Sequence, residues 1–131
     1  MPQQITVIKV RRGGKGNINQ ELQWMGGSLG LFNLRDKDSS CFRIFITLVR
    51  NSRNNHAVSS DEIASRLNLT RGTVVHHLHR LMNAGIVVKE KEGYILREAN
   101  IENLIGDIKR DMDTIFSELQ KVAKEIDEGL G

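Results

Sequence analysis

Residues 59–87 read SSDEIASRLNLTRGTVVHHLHRLMNAGIV, and the fold turns on this stretch. Ser59 followed by Glu62 has the spacing of a capping box, which satisfies free N–H groups at a helix start. The helix it opens buries Ile63, Ala64 and Leu67. Asn68-Leu69-Thr70 is a short turn, and Thr70 is placed to cap a second helix through residues 71–84. Val74, Leu78 and Leu81, spaced 4 and 3, form the inward stripe of that helix. Gly85 stands where a left-handed C-cap belongs.

Outward from this pair, Ile86-Val87-Val88-Lys89 and Tyr94-Ile95-Leu96-Arg97 read as two short strands, joined by Glu90-Lys91-Glu92-Gly93. Upstream, a helix capped by Asp38 or Ser39 runs from Phe42 to about Asn51. It is apolar around most of its circumference, so it belongs in the middle of the domain. Further upstream, Ile18, Leu22, Met25, Leu29 and Phe32 mark one face of a helix over 17–32, which Gly26-Gly27 weaken by roughly 1 kcal/mol each. Residues 5–10 (ITVIKV) read as a strand, and the glycine-rich 11–16 break any regular structure. Downstream, Ile101, Ile105, Ile108, Met112, Ile115, Leu119, Val122 and Ile126 alternate spacings of 4 and 3, a heptad seam. The three units expected are an extension (1–36), a central domain (37–98) and a C-terminal helix (99–131).

The 131 residues carry a net charge of +3, unevenly placed. Residues 1–42 net +3, 43–97 net +5 and 98–131 net −5. A basic middle can face a polyanion, whereas the acidic end cannot. The longest apolar runs are far short of the ~20 residues of a membrane span, and no secretory signal is evident, so no membrane partner and a cytoplasmic location are expected. One cysteine, Cys41, cannot form an internal disulfide and reads as a small buried hydrophobe. No nucleophile stands with a base and an orienting acid at a readable spacing, so an enzyme is not expected.

Capped helix, turn, longer helix and β-hairpin, in that order, form a winged helix-turn-helix: a mainly α chain with a small β-hairpin wing (α+β) and a long C-terminal dimerisation helix. In such a unit the first helix braces the second, whose outer face enters a DNA major groove. With Val74, Leu78 and Leu81 inward, the outward residues of 71–84 are Arg71, Gly72, Thr73, Val75, His76, His79 and Arg80. Arg71 and Arg80 suit phosphate or guanine, Thr73 and Val75 a thymine methyl, and Gly72 a close backbone approach. Lys89 and Lys91 on the hairpin suit the minor groove or flanking phosphates. Ser59 and Ser60 suit a phosphate at a helix start. His77 lies off the face of His76 and His79, so the histidine cluster reads as DNA contact and packing rather than as a metal site.

Thr73-Val74, His77-Leu78, Leu81 and Ala84-Gly85-Ile86-Val87 resemble the DNA-reading segment of ArsR-type winged-helix repressors. The unmatched N-terminal extension and acidic tail look like an archaeal branch of that family. The seam of Ile101, Ile105, Ile108, Met112, Ile115, Leu119, Val122 and Ile126 can pack on the protein's own core or pair with its copy in a second subunit; so long and strictly alternating a stripe favours pairing, hence a homodimer on double-stranded DNA. The resemblance does not extend to the family's metal sites. Residues 60–67 lack the paired cysteines and 100–128 contain no histidine, so neither metal nor other cofactor is expected. The function expected is a sequence-specific transcription regulator, a repressor, on a pseudo-palindromic operator. A winged-helix protein-interaction module and an RNA-binding subunit are the alternatives. No small-molecule effector is legible. Arg11, Arg12 and Lys15 read as a solvated arm, and Trp24 as a core or interface anchor.

Overall fold

A computed structural model describes residues 2–31 and 39–131. Its elements are helix α1 (Ile18–Ser28), α2 (Ser40–Ser52), α3 (Ser60–Leu67), α4 (Arg71–Asn83), strands β1 (Val87–Glu90) and β2 (Gly93–Leu96), and α5 (Ile101–Leu130). Among the described residues, five helices and a two-stranded antiparallel hairpin make a mainly α winged helix-turn-helix with a long C-terminal helix. Phe32 and Asp38, expected at a helix end and a helix cap, lie outside the described residues. So does the expected boundary at 36/37.

The apolar helix α2 occupies the centre, as its composition demands. Ile44 and Phe45 are fully buried, and the helix packs on α3, α4 and β2. Around it gather Ile63 of α3, the whole inward stripe of α4 (Val74, Leu78, Leu81), Val87 and Leu96 of the hairpin, and Leu104 and Ile108 of α5. Cys41 is buried in this core. The termini of the helices follow their caps. Thr70 Oγ1 accepts from the Thr73 N–H at 3.2 Å, and the Asn100 side chain accepts from the Asn103 N–H at 2.8 Å. The end of α4 is a Schellman closure: Ile86 N–H donates to Leu81 O and Gly85 N–H to Met82 O, with Gly85 at φ +84°.

Four expectations are corrected. Residues 5–10 form no strand. Among the described residues no partner strand lies alongside, and the strap spends N–H groups on helix ends: Gln4 N–H donates to Asn83 O and Ile8 N–H to Ser28 O. Helix α1 stops at Ser28 rather than 32, and Ile18 faces away from the core at 79% exposed. Its start carries a full capping box, Asn17 with Gln20. Ser39 sits at the α2 cap in a left-handed conformation and makes no side-chain cap bond. At α3 only half of the capping box forms, because the Glu62 carboxylate pairs with Arg66 at 2.6 Å instead of turning back to Ser59.

The hairpin is tighter than its sequence suggests. Glu90 pairs with Gly93, so only Lys91 and Glu92 make the turn. Val58, just ahead of α3, adds a bridge to the outer side of β2, with Val58 N–H to Tyr94 O at 2.9 Å and Tyr94 N–H to Val58 O at 2.8 Å.

Helix α5 is divided. Leu104 and Ile108 are in the core and Met112 packs against it, whereas every residue from 113 to 131 is exposed. The helix leaves the domain as an overhang about 27 Å long, at ~1.5 Å per residue.

Candidate nucleic-acid interface

The interface begins with how α3 and α4 are set. The Arg43 guanidinium, from central α2, donates to Leu67 O at 2.7 Å and so satisfies the C-terminal carbonyl of α3. Asn68 then turns through the left-handed region (φ 55°), and Thr70 restarts the chain as α4. These two devices set the angle at which α4 leaves the domain. Arg43 carried no signal that would have identified it as a strut. It reads in the sequence as one more cation.

With its stripe of Val74, Leu78 and Leu81 inward, α4 turns Arg71, Gly72, His76, His79 and Arg80 to solvent. Thr73 and Val75 lie on the flanks, half-buried. The expected outward set is therefore brought together on one helix, with two members turned partly aside. The Thr73 hydroxyl is engaged, since Thr70 Oγ1 donates to it at 2.8 Å. The N-terminal strap crosses only the last turn of α4. Gln4 N–H donates to Asn83 O, and the Gln3 amide donates to Ala84 O at 3.1 Å. Among the described residues the outer face is otherwise exposed from Arg71 to Arg80, although Pro2 and Gln3 share a cleft with His79, and Gln4 to Thr6 share one with Arg80. His77 is half-buried and stands edge-on to His76, with ring centroids 5.3 Å apart.

The electrostatics are more sparing than the +5 of residues 43–97 suggests. Arg43 is a strut, and Arg97 is committed to α5, with Nη1 on Asp111 Oδ2 at 2.6 Å and Nε on Asp107 Oδ2 at 3.4 Å. The Asp111 carboxyl is held below the usual range by its hydrogen bond from Arg97, with Gln3 as second donor, and Arg97 is raised in turn. On the interface itself Arg71 Nε lies 3.5 Å from Asp61 Oδ1, both groups about three-quarters exposed. Such a pair is weak and opens readily to a phosphate. Arg80 has no carboxylate within ion-pair distance among the described residues. On the wing, Lys89 lies over the Tyr94 ring at 5.8 Å, and Lys91 is at the turn. Glu90 and Glu92 flank them and offset the positive charge of the wing.

Ser59 and Ser60 are half-buried at the start of α3, and Ser59 Oγ accepts from the Glu62 N–H at 3.1 Å. That cap uses one of the helix-start donors that a phosphate would otherwise meet. Among the described residues, no group of three His, Cys, Asp or Glu could hold a metal ion. No described helix is long and apolar enough to cross a membrane.

Residues 45–95 match the family model described as HTH domain, a helix-turn-helix unit. The match covers the second half of α2 through most of β2, the elements that build and brace the interface. Comparison with curated proteins and with solved structures found no match.

Proposed function

We propose that this chain is a sequence-specific, double-stranded-DNA-binding transcription regulator of ArsR type. It acts as a homodimer, in the sense of repression, on a pseudo-palindromic operator. The observation that carries this reading is the uncovered outer face of α4, with Arg71, Gly72, His76, His79 and Arg80 side by side beside a lysine-bearing wing. A helix of that width enters a major groove. Thr73 and Val75 reach base edges from its flanks, and Lys89 and Lys91 meet the neighbouring phosphates. The half-buried Ser59 and Ser60 hold the sugar–phosphate chain from the start of α3.

The overhang of α5 supplies the second half of the argument. An apolar stripe of Ile115, Leu119, Val122 and Ile126 on a helix that its own domain leaves bare is a surface made for another copy. Ile101, Ile105 and Met112, partly exposed on the packed half, continue it. Ile108 belongs to the protomer's own core and contributes from beneath. Two copies joined this way present two α4 helices to successive major grooves about 34 Å apart.

The test is selection of bound fragments from genomic DNA by the full chain, followed by a salt titration on the enriched site. The reading expects an inverted repeat and a steep linear fall of log affinity with log salt, reporting several neutralised phosphates. Failure to enrich any duplex, together with tight capture of an acidic protein, would replace it with a protein-interaction module.

A further inference from the structure

Where the N-terminal strap crosses the end of α4, it roofs a cavity of about 110 Å³. The floor is apolar, lined by Leu31, Leu81, Ile86 and Ile108, all of them buried. The rim is polar, made by Gln4 and Thr6 of the strap and by Arg80 and Asn83 of α4. The roof is firmly seated. Gln4 N–H donates to Asn83 O at 2.8 Å and Ile8 N–H to Ser28 O at 2.7 Å. Between these anchors Thr6 presses on Gly30, where an added Cβ would stand 2.6 Å from Thr6 Cγ2.

We infer that this cavity binds a small amphiphilic anion, a short-chain carboxylate, and that its occupant draws Arg80 away from DNA. The inference rests on the DNA-binding reading above and adds a regulatory ligand to it.

Size and wall chemistry select the class. An aliphatic cavity of about 150 Å³ holds benzene, so about 110 Å³ takes a molecule of roughly six non-hydrogen atoms. Water is a poor occupant of the floor, because it needs two to four polar partners that the floor does not offer. A wholly apolar molecule would strip water from the polar rim and return no hydrogen bond. A short aliphatic chain with one polar end satisfies both surfaces. The sign of that end follows from the lining, which among the described residues contains one cation, Arg80, and no carboxylate. A guanidinium matches a carboxylate with two parallel N–H donors, and the amides of Gln4 and Asn83 have further N–H groups to offer.

Arg80 ties the cavity to the interface. It is exposed on the outer face of α4 and borders the cavity as well. A guanidinium engaged by a carboxylate in the cavity gives up the phosphate or guanine that it would otherwise meet. The coupling is reciprocal: operator DNA and the anion weaken each other's binding by the same factor.

The test uses the full chain and sodium butanoate, a carboxylate of the required size, with butanamide as its uncharged match. Calorimetric titrations without DNA, at constant ionic strength, are expected to show saturable binding of one butanoate per chain, about tenfold tighter than butanamide. Arg80→Gln should bring the two ligands to equal affinity. Ala84→Leu, which fills the cavity from the end of α4, should abolish binding of both while helical circular dichroism is retained. In a gel shift on the selected operator, saturating butanoate should raise the DNA dissociation constant of the parent about fivefold. Absence of saturable binding, equal affinity of the parent for acid and amide, or butanoate binding unchanged in Arg80→Gln would overturn the anion site. Butanoate bound with operator affinity unmoved would overturn the coupling. A chain that takes butanoate yet selects no duplex keeps the cavity and loses the regulator, whereas one that selects an operator and ignores butanoate loses this inference alone.

Discussion

Gly93→Ala tests the attachment of the wing to the helix-turn-helix more sharply than any change on the binding face. Gly93 opens β2 at φ +148°, a conformation that L side chains rarely adopt. A Cβ added there would stand 2.5 Å from the Val58 carbonyl carbon and oxygen and 2.8 Å from the Ser59 nitrogen. These are backbone atoms, so no side chain can swing away. The segment they belong to bridges Tyr94 through two hydrogen bonds and then caps α3. Backbone strain of this kind costs about 1–3 kcal/mol. Breaking the two bridge bonds adds about 1 kcal/mol each. A loss of about 3–5 kcal/mol corresponds, for a chain of this size, to a fall in Tm of about 10 to 20 °C. The assay is a thermal melt followed by helical circular dichroism, both proteins at one concentration, because dimerisation makes Tm concentration-dependent. A variant melting within about 2 °C of the parent would show that the bridge contributes little and that the wing is free of α3.

Other expectations follow from the interface and the network beside it. Arg80→Ala should weaken binding to a selected operator by about 1–3 kcal/mol, read by gel shift, if it contacts a base. Arg71→Ala should cost less, because its contact with DNA must replace the pair with Asp61; equal and negligible losses for both would remove α4 from the interface. Leu119→Asp places a charge on a half-exposed site of the overhang, so the fold should persist by circular dichroism while light scattering finds a monomer. A dimer unaffected by Leu119→Asp would deny the seam its role. Asp111→Asn should lower stability in urea by about 1 kcal/mol at neutral pH, given the partial exposure of the pair. The hydrogen bond from Arg97 lowers the folded-state pKa of Asp111, so the stability it contributes is present above the ordinary aspartate range. It is lost as pH falls through its own depressed value, and parent and variant should converge once the pH lies below that value. A difference that persisted or grew at low pH would contradict the assignment of the Arg97 contact.

Local chemistry made much of this architecture legible. Thr70 and Ser59 are caps because their oxygens reach N–H groups three residues on, a relation contained within one turn of chain. The stripes of α4 and α5 and the all-apolar α2 are periodicities of the same local kind. The misreadings have one cause in common. The β-branched residues 5–10 have strand propensity, yet a strand needs a neighbour, and the chain brings only helix ends to this strap. Glu62 could complete a capping box, yet Arg66, one turn later, holds it.

The arginines mark the same limit on function. Arg43, Arg80 and Arg97 are indistinguishable as letters in a basic segment. Folding commits Arg43 to the end of α3 and Arg97 to α5, and leaves Arg80 on the outer face of α4. The seam of α5 was visible as a pattern, but its division into a packed half and a bare half was not, because periodicity records a face and says nothing of what covers it. What the amino-acid order determined alone was the succession of helices and hairpin and the inward stripe of α4. Which cations were structural, where the N-terminal segment lay and how much of α5 stood free were decided by tertiary packing. Those outcomes depend on contacts between residues far apart in the chain, whose meeting no local pattern encodes.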